Sequence, residues 1–468
     1  MLSFQELLKN LKYFGIHNHS ESSNQRLGDS TNKIPKLVEY GEQIGLKGIA
    51  LTDHESLSGH VEAMDIGQQL LDRGSEFKLA LGNEIYLVNS LEEVRDNYQG
   101  GGLTKFPHLI LVAKNKQGHR ALRELSTLAW MSSYKTAQMV RVPTTKENFA
   151  RVLMKPEYKN SVIVSSACLG CEIALEFNKY KNGDSKALER IDKFISACQT
   201  VVGKNNYYLE IQPSYMQEQI EYNKFIINYG RTHNIKVIFS TDTHYLTKDH
   251  REIHKAYLNS KEGDREVDDF YASTYMMSTE EVWEYFKGYV SEEDFIQMCN
   301  NSVEIYNEIE YFNLFHPTIV PQINVPPFNT YCELGEMGKE YEYINKYYTS
   351  KHLIDKYLVF KINEGMRKLN KPLTKNYLER INEEMGYIWE ISEKLESRLS
   401  SYYLLTQEVI DLCWLVSLVG IARGSATGFL LCYLLQITQM NPLEYNLPAW
   451  RHIHHSRPEL PDRFCQGI

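Results

Sequence analysis

Over its first 250 residues the chain alternates short apolar runs with amphipathic helical patterns, an order that few folds accept. "YFGIH", "KGIALTD", "FKLALGNEIYLV", "HLILVAKN", "NSVIVSSA", "NYYLEIQ" and "IKVIFSTD" read as strands rich in Ile, Val, Leu and Tyr. Between several of them, "IPKLVEYGEQIG", "SGHVEAMDIGQQLLDRG", "KALERIDKFISACQTVVG" and "MQEQIEYNKFIINYGRTH" carry apolar residues at helical spacing. Strands separated by helices pair in parallel, so the class is α/β. Seven candidate strands favour a closed or nearly closed barrel over a small open sheet. The segment 316–331, "HPTIVPQINVPPFNTY", is too rich in proline for continuous helix or a central strand and marks a boundary. Beyond it, "YLERINEEMGYIWEISEKLESRLSSYYLLTQEVIDLCWLVS" predicts a mainly helical part. The expected organisation is a barrel over 1–275, a connector over 276–330 and a helical segment over 331–468.

In an α/β barrel the chemistry sits at the C-terminal ends of the strands. Those ends deliver His17 and His19, Asp53 and His54, Glu84, Cys168, then Asp242 and His244. Asp29 lies in the loop after His19, and His108 opens "HLILVAKN". His108 stands at the wrong end of its apparent strand, so that strand is expected to differ in direction or register. A lone HxH such as His17 and His19 fits a surface loop as well as a shared metal. Donors recurring at successive strand ends favour the metal. Nitrogen, oxygen and sulfur ligands together suit zinc, with manganese or iron as alternatives. They outnumber the needs of one tetrahedral ion, so a cluster of two or three is expected. Such a cluster lowers the pKa of a bound water to about 7 and clamps both oxygens of a phosphoester in displacement.

Composition narrows the setting. No apolar run is long enough to span a bilayer, and "MLSFQELLKNLKY" lacks the layout of a signal peptide. Eight cysteines in 468 residues then point to free thiols in a reducing cytoplasm. A net charge of −9 argues against indiscriminate nucleic-acid binding. Residues 104–155 run the other way, with ten Lys or Arg against Glu124 and Glu147. That run reads either as a solvated face or as a phosphate-binding stripe. The CxxC of Cys168 and Cys171 leaves Cys171 as a small buried residue, and "HIHH" at 452–455 reads as a wet loop. Glu210, inside "NYYLEIQ", is given no role.

"HNHS", "LTDHESLSGH", "GNEIYLV", "HLILVAKNKQG", "SSACLGCEI" and "STDTHYL" resemble, in order, the motifs of the PHP (polymerase and histidinol phosphatase) domain. The resemblance implies a distorted (β/α)7 barrel holding up to three metals. Its nine ligand positions fall on His17, His19, Asp29, His54, Glu84, His108, Cys168, Asp242 and His244. Asp53 is then a catalytic-site residue standing behind the ligands and orienting its neighbour. The part after the barrel, with "YLERINEEMGYIWEI", "SYYLLTQEVIDLC" and "GIARGSATGFLLCYLLQITQMNPLEYNL", resembles the start of the palm of the bacterial replicative DNA polymerase III alpha subunit, family C. The family's "GRGSA" is matched by Ala422 to Ala426, which makes Arg423, Gly424 and Ser425 candidates for holding a nucleoside triphosphate.

The resemblance breaks at "RPELPDRFCQGI". The family reads Pro-Asp-x-Asp-x-Asp there and holds two catalytic Mg²⁺ ions on the later aspartates. Pro461 and the catalytic candidate Asp462 match, but Phe464 and Gln466 occupy the metal positions. Neither supplies a carboxylate. The expectation is an N-terminal portion of a polymerase, truncated at its catalytic motif and unable to polymerise alone. Mg²⁺ and dNTP would enter only if the palm were completed. An interrupted or split gene, such as a phage gene, would account for the break. Three functions follow: a replication protein whose PHP site is a metal-dependent 3′–5′ exonuclease, a free-standing PHP phosphoesterase on small phosphomonoesters, and a non-catalytic brace. The expected partners are DNA (primer-template or single-stranded), a second polymerase polypeptide, and the sliding clamp and replisome, with no membrane.

Overall fold

The computed structural model describes residues 3–25, 27–94, 106–136, 140–260, 269–316 and 319–456. Two compact units divide at Leu314 and Phe315. In the first, the strands are β1 (Phe14–Gly15), β2 (Gly48–Leu51), β3 (Lys78–Val88), β4 (His108–Ala113), β5 (Tyr134–Lys135), β6 (Val140–Arg141), β7 (Thr144–Thr145), β8 (Val162–Ser165), β9 (Tyr207–Ile211) and β10 (Val237–Phe239). Seven form one sheet in the order β1-β2-β3-β4-β8-β9-β10, with β7 added alongside β3; β5 and β6 make a separate ribbon. These seven are the strands that the sequence pattern predicts. "VIVS" in β8 shows why. Its four residues are all buried, and β-branched side chains pack well on a pleated surface covered on both faces.

The sheet nearly closes. His19 donates its backbone N–H to Thr243 O at 3.0 Å, and Thr243 donates to His17 O at 3.2 Å, joining the segments that follow β1 and β10. Helix Glu292–Glu308 packs against both end strands. Its Ser302 Oγ accepts from Phe14 N at 3.0 Å and its Asn301 Nδ2 donates to Val237 O at 2.8 Å. Groups that an open edge would leave bare are thereby satisfied. The stretch 276–308, read from sequence as part of a connector, supplies Met276, Met277, Phe286 and Phe295 to the barrel's apolar core.

One strand runs against the rest. β4 is antiparallel to both β3 and β8, whereas the other four sheet pairings along the order are parallel. The chain leaving β3 re-enters the sheet at the same rim, so the start of β4 lies beside the ends of its neighbours. This reversal is why His108, first in its strand, still belongs with strand-end residues.

The second unit is helical among its described residues. Helices Leu353–Lys368, Lys375–Lys394 and Ser400–Val416 enclose a core that includes Leu358, Ile362, Ile381, Ile388, Tyr403 and Phe429. The long helical pattern in the sequence is two helices, separated where Glu396 takes the left-handed conformation at φ 50°. The described part of the proline-rich stretch has no regular structure.

Candidate metal centre

All nine expected ligands meet at one rim of the barrel. β3 is longer than β2, and an isolated bridge between His54 and Glu84 sets Glu84 level with the end of β2. Glu84 Oε2 lies 3.4 Å from His17 Nε2, 3.2 Å from His19 Nε2 and 2.9 Å from His54 Nδ1. Its Oε1 lies 2.5 Å from His108 Nδ1. Asp242 Oδ1 is 3.1 Å from both His17 Nε2 and His19 Nε2. Asp29 Oδ2 is 3.2 Å from His54 Nε2 and 3.5 Å from His244 Nε2. Cys168 Sγ is 3.3 Å from His108 Nδ1. Apart from His108, these side chains are buried.

The donors sort into three groups, each with its ligand atoms within 4.8 Å of one another: His19, His54 and His244; His17, His19 and Asp242; Glu84, His108 and Cys168. Asp29 Oδ1 is buried with no hydrogen-bond partner. A buried carboxylate oxygen without a partner is costly, and a cation would satisfy it. The mixed donor set and this oxygen therefore fit a cluster of divalent ions.

Electrostatics without ions are already balanced. Burial alone pushes the Glu84 carboxyl up, but His54 and His108 override it and hold it well below the usual carboxylate range. Burial likewise pushes His54 down, and Asp29 and Glu84 reverse that and raise it to about 10. Asp29 is held well below its ordinary value by His54 and His244, against the effect of burial.

The fold also fixes which ring nitrogen faces the cluster. His244 Nδ1 donates to Asp242 O at 2.7 Å, leaving Nε2 for Asp29 and the pocket. Ser23 Oγ donates to Asp53 Oδ1 at 2.7 Å, so it accepts from His19 Nδ1 at 3.3 Å. Asp53 also accepts from Ser20 N at 2.6 Å and Ser20 Oγ at 2.9 Å. Asp53 thus clamps the turn after His19 and reaches His19 through Ser23, whose Oγ also accepts from the neighbouring His54 N at 3.1 Å. Three non-glycine residues at this rim take positive φ: Glu55 after His54, Ala167 before Cys168, and Asp242 itself. Such conformations cost roughly 1–3 kcal/mol each and cluster where geometry serves a site. Gly170 has a different reason. A Cβ there would meet the His108 ring at 2.9 Å, so only glycine lets the Cys168 loop lie on that imidazole.

Sequence reading missed Glu210. It is fully buried in β9 and accepts from His17 Nδ1 at 2.9 Å. Ser165 Oγ and Ser240 Oγ donate to it as well, and Gln212 Nε2 donates at 3.2 Å. A carboxylate held by four donors keeps the His17 Nε2 lone pair aimed at the cluster. The signal was present: an acid inside the apolar run "YYLEI" needs a partner. Glu210→Gln is expected to weaken metal affinity about 10–100-fold while the chain stays folded, as measured by chelator competition. Tyr86, whose OH lies 2.7 Å from His54 Nδ1, and His254, whose Nε2 donates to Asp29 O at 2.6 Å, were missed too. Tyr86 stands in no metal-like spacing, whereas His254 follows His250 by four residues, a spacing that sequence reading passed over.

Other expectations fare differently. Cys171 is buried and caps helix Glu172–Lys181 by accepting from Ala174 N. The basic run 104–155 is partly neutralised, with Lys114 on Glu308, Lys146 on Glu172 and Lys155 on Glu124. His452 is not in a wet loop. It is buried against Phe429, with its Nδ1 3.3 Å from Ser425 Oγ, and burial pulls its pKa down to about 4. In the second unit, Arg423, Gly424 and Ser425 lie exposed at the start of the turn Gly424–Gly428, where Gly424 takes φ 64°. Glu384, buried in the second unit's core, accepts from Leu430 N, Leu431 N and Arg380 Nε at 2.7–2.8 Å and so anchors the helix after that turn. Asp462, with Phe464 and Gln466, lies outside the described residues.

Residues 15–214 match the PHP domain, and residues 356–463 match the bacterial DNA polymerase III alpha NTPase domain. The Probable DNA polymerase YorL of Bacillus subtilis (strain 168) and the DNA-directed DNA polymerase of Bacillus phage SPbeta are each 41% identical over 470 residues, covering 96% of this chain and 36% of those proteins. The DNA polymerase III subunit alpha of Borreliella burgdorferi is 24% identical over 465 residues, covering 96% of this chain and 35% of its own length. The chain thus spans about a third of the curated relatives that it matches. Among solved structures, a metal-dependent phosphoesterase described from Bifidobacterium adolescentis aligns with 60% of this chain and 97% of its own, at 14% identity and a TM-score of 0.30.

Proposed function

The chain belongs to the bacterial DNA polymerase III alpha family, joining a PHP domain to an alpha-type NTPase segment, and from that premise we propose that its barrel is a metal-dependent phosphoesterase working on DNA during replication. The observation that carries the reading is the convergence of nine donors around Glu84. His17, His19, Asp242, His54, His244, Asp29, Glu84, His108 and Cys168 would hold two or three Zn²⁺ or Mn²⁺ ions. When bound, such ions supply Lewis acidity toward a phosphoryl group and activate water near neutral pH. The residues' own part is positional. Glu210 and the Asp53–Ser23 pair set ring orientation, and burial keeps bulk water from competing for the donors. The partly exposed His108 edge is where a substrate can reach the cluster.

A 3′–5′ exonuclease on single-stranded DNA is the activity proposed. Polymerisation by this chain alone is not, because Phe464 and Gln466 stand where the family carries carboxylates. Arg423, Gly424 and Ser425 would then serve a nucleotide only beside a second polymerase polypeptide supplying Mg²⁺ ligands. A cytoplasmic replisome with a sliding clamp is the proposed setting. Among the described residues, no helix is long and apolar enough to cross a membrane.

The test uses the purified chain with added Zn²⁺ or Mn²⁺, presented with 3′-labelled single-stranded DNA and with p-nitrophenyl phosphate. Metal-dependent release of 3′ mononucleotides, lost in His17→Ala, is the expected result. Cleavage of the small ester alone would establish the free-standing phosphoesterase instead. Bound metal with neither substrate cleaved would leave a bracing module. Template-dependent dNTP incorporation would overturn the polymerase part of the reading.

A further inference from the structure

Tyr215 stands shortly beyond the end of β9, on the rim where the donors converge, and it is 74% exposed. Its ring lies against that of Tyr285, with centroids 4.3 Å apart and planes inclined by 31°. Tyr285 belongs to helix Thr279–Phe286 and is half-buried. Its hydroxyl shares a hydrogen bond with Tyr275, which is buried and bridged to Tyr245, the residue after the candidate ligand His244. His244 itself donates its backbone N–H to Thr274 O at 2.8 Å. The pair is therefore braced against the metal rim. Tyr285 fixes the Tyr215 ring from one side, while the other face stays open to solvent.

Two more rings lie between this pair and the cluster. Tyr271 meets the His244 ring edge-on at 5.3 Å, and Phe270 meets Tyr271 at 5.2 Å. Phe270 lines a narrow cleft with Gln212, Pro213 and Ser214, the residues that lead from β9 to Tyr215. Aromatic side chains thus follow the rim from His244 to Tyr215.

We propose that Tyr215, backed by Tyr285, is a stacking platform for an unpaired base of single-stranded DNA whose terminal phosphodiester lies at the metal centre. The inference rests on the phosphoesterase reading above and names what that site recognises. Position argues for this occupant. The platform shares its rim with the donors, and a polynucleotide extends beyond the bond being cut, whereas a small phosphomonoester does not. Charge argues for a base over a phosphate. Glu280 and Glu284 are exposed on the helix that carries Tyr285, and Lys287 next to them is paired with Glu284. An anion is repelled there. Every base has a π-face, so stacking tolerates any sequence, as removal of successive nucleotides requires. Bases in a duplex are already stacked on one another, so the platform selects unpaired strands.

The probes are a single-stranded oligothymidylate and thymidine 5′-(p-nitrophenyl) phosphate, each given to the full chain with Zn²⁺ or Mn²⁺. Tyr215→Ala should raise KM for the oligonucleotide about tenfold with kcat nearly unchanged, the effect of losing one stacked base. The mononucleotide ester carries no upstream strand and should show no such rise. Tyr215→Phe should restore the parent KM, which separates the ring from its hydroxyl. Binding is read without cleavage on phosphorothioate strands scanned with 2-aminopurine, whose fluorescence is quenched by stacking. One position should be quenched by the parent and not by Tyr215→Ala. Tyr180→Ala, at an exposed tyrosine of helix Glu172–Lys181, should change neither readout. Three results would each overturn the proposal: parent-like KM and quenching in Tyr215→Ala, an equal loss toward fully paired duplex, or no binding of single strands by the parent. Failure to hydrolyse either probe would count against the phosphoesterase reading alone, because quenching reports on the platform with no bond cut.

Discussion

Glu84→Gln is expected to lower metal-dependent phosphoester hydrolysis about a thousandfold and to strip the chain of at least two ions. The reason is that one carboxylate touches four imidazoles: His17, His19 and His54 through Oε2, and His108 through Oε1. No other residue among the described donors is shared so widely. Glutamine keeps the size but removes the charge and turns an N–H₂ toward ring nitrogens, where a cation needs a lone pair. The thousandfold figure is at the upper end of what losing one group that stabilises transition-state charge costs, about 10²–10³. Cys168→Ser makes the contrast. It alters only the group with Glu84 and His108, so it should lose at most one ion. The two variants are separated by counting metal per chain with mass spectrometry. Thermal melting gives an independent readout. Excess Zn²⁺ should stabilise the parent, by about 2.7 kcal/mol at a hundredfold over Kd, and should leave Glu84→Gln almost unchanged. A Glu84→Gln protein that keeps its full metal load would show that the cluster is held without its central carboxylate.

The sequence makes the barrel and its ligands legible because both depend on local pattern. Each strand announces itself by β-branched runs, and most of the ligands lie in a strand or just beyond its end. His108 is the instructive case. Periodicity locates its strand but is blind to direction, and only the antiparallel pairing of β4 restores the residue to the common rim. What escapes is what depends on long-range contact. Glu210 meets His17 across 193 residues and Asp53 reaches the Ser20–Ser23 turn across about thirty, and no spacing encodes either. The basic run misleads for the same reason, since Glu308 and Glu172, which partner Lys114 and Lys146, lie outside it. In the second unit, helical spacing finds the helices but says nothing of Glu384. An acid in "NEEMGYIWEI" looks like one more solvated residue until the fold buries it.

Glu384 carries the second large effect. Glu384→Ala is expected to destabilise the second unit by about 3–5 kcal/mol, the cost of leaving the other half of a buried ion pair unmatched. Arg380 would keep its hydrogen bonds to Gly428 O and Leu447 O but lose its counter-charge. The N–H groups of Leu430 and Leu431 would lose their acceptor in the core. The turn Gly424–Gly428 hangs between these anchors, so the candidate nucleotide segment should loosen first, seen as faster hydrogen exchange at 424–435. A pH signature distinguishes the charge from the packing. Burial pushes the Glu384 carboxyl up to about 7, further than Arg380 and the two amides can bring it back. Its folded-state value therefore exceeds its unfolded value near 4.5, and folding takes up a proton between the two. By linkage this contribution to stability is fully present below about pH 4.5 and is lost as pH rises to about 7, a change on the order of 3 kcal/mol. Glu384→Gln, which cannot titrate, should flatten that slope while keeping part of the capping. A parent protein whose second unit melts identically at pH 5 and pH 7.5 would mean that Glu384 stays ionised throughout, held by Arg380 and two amides strongly enough to outweigh its burial.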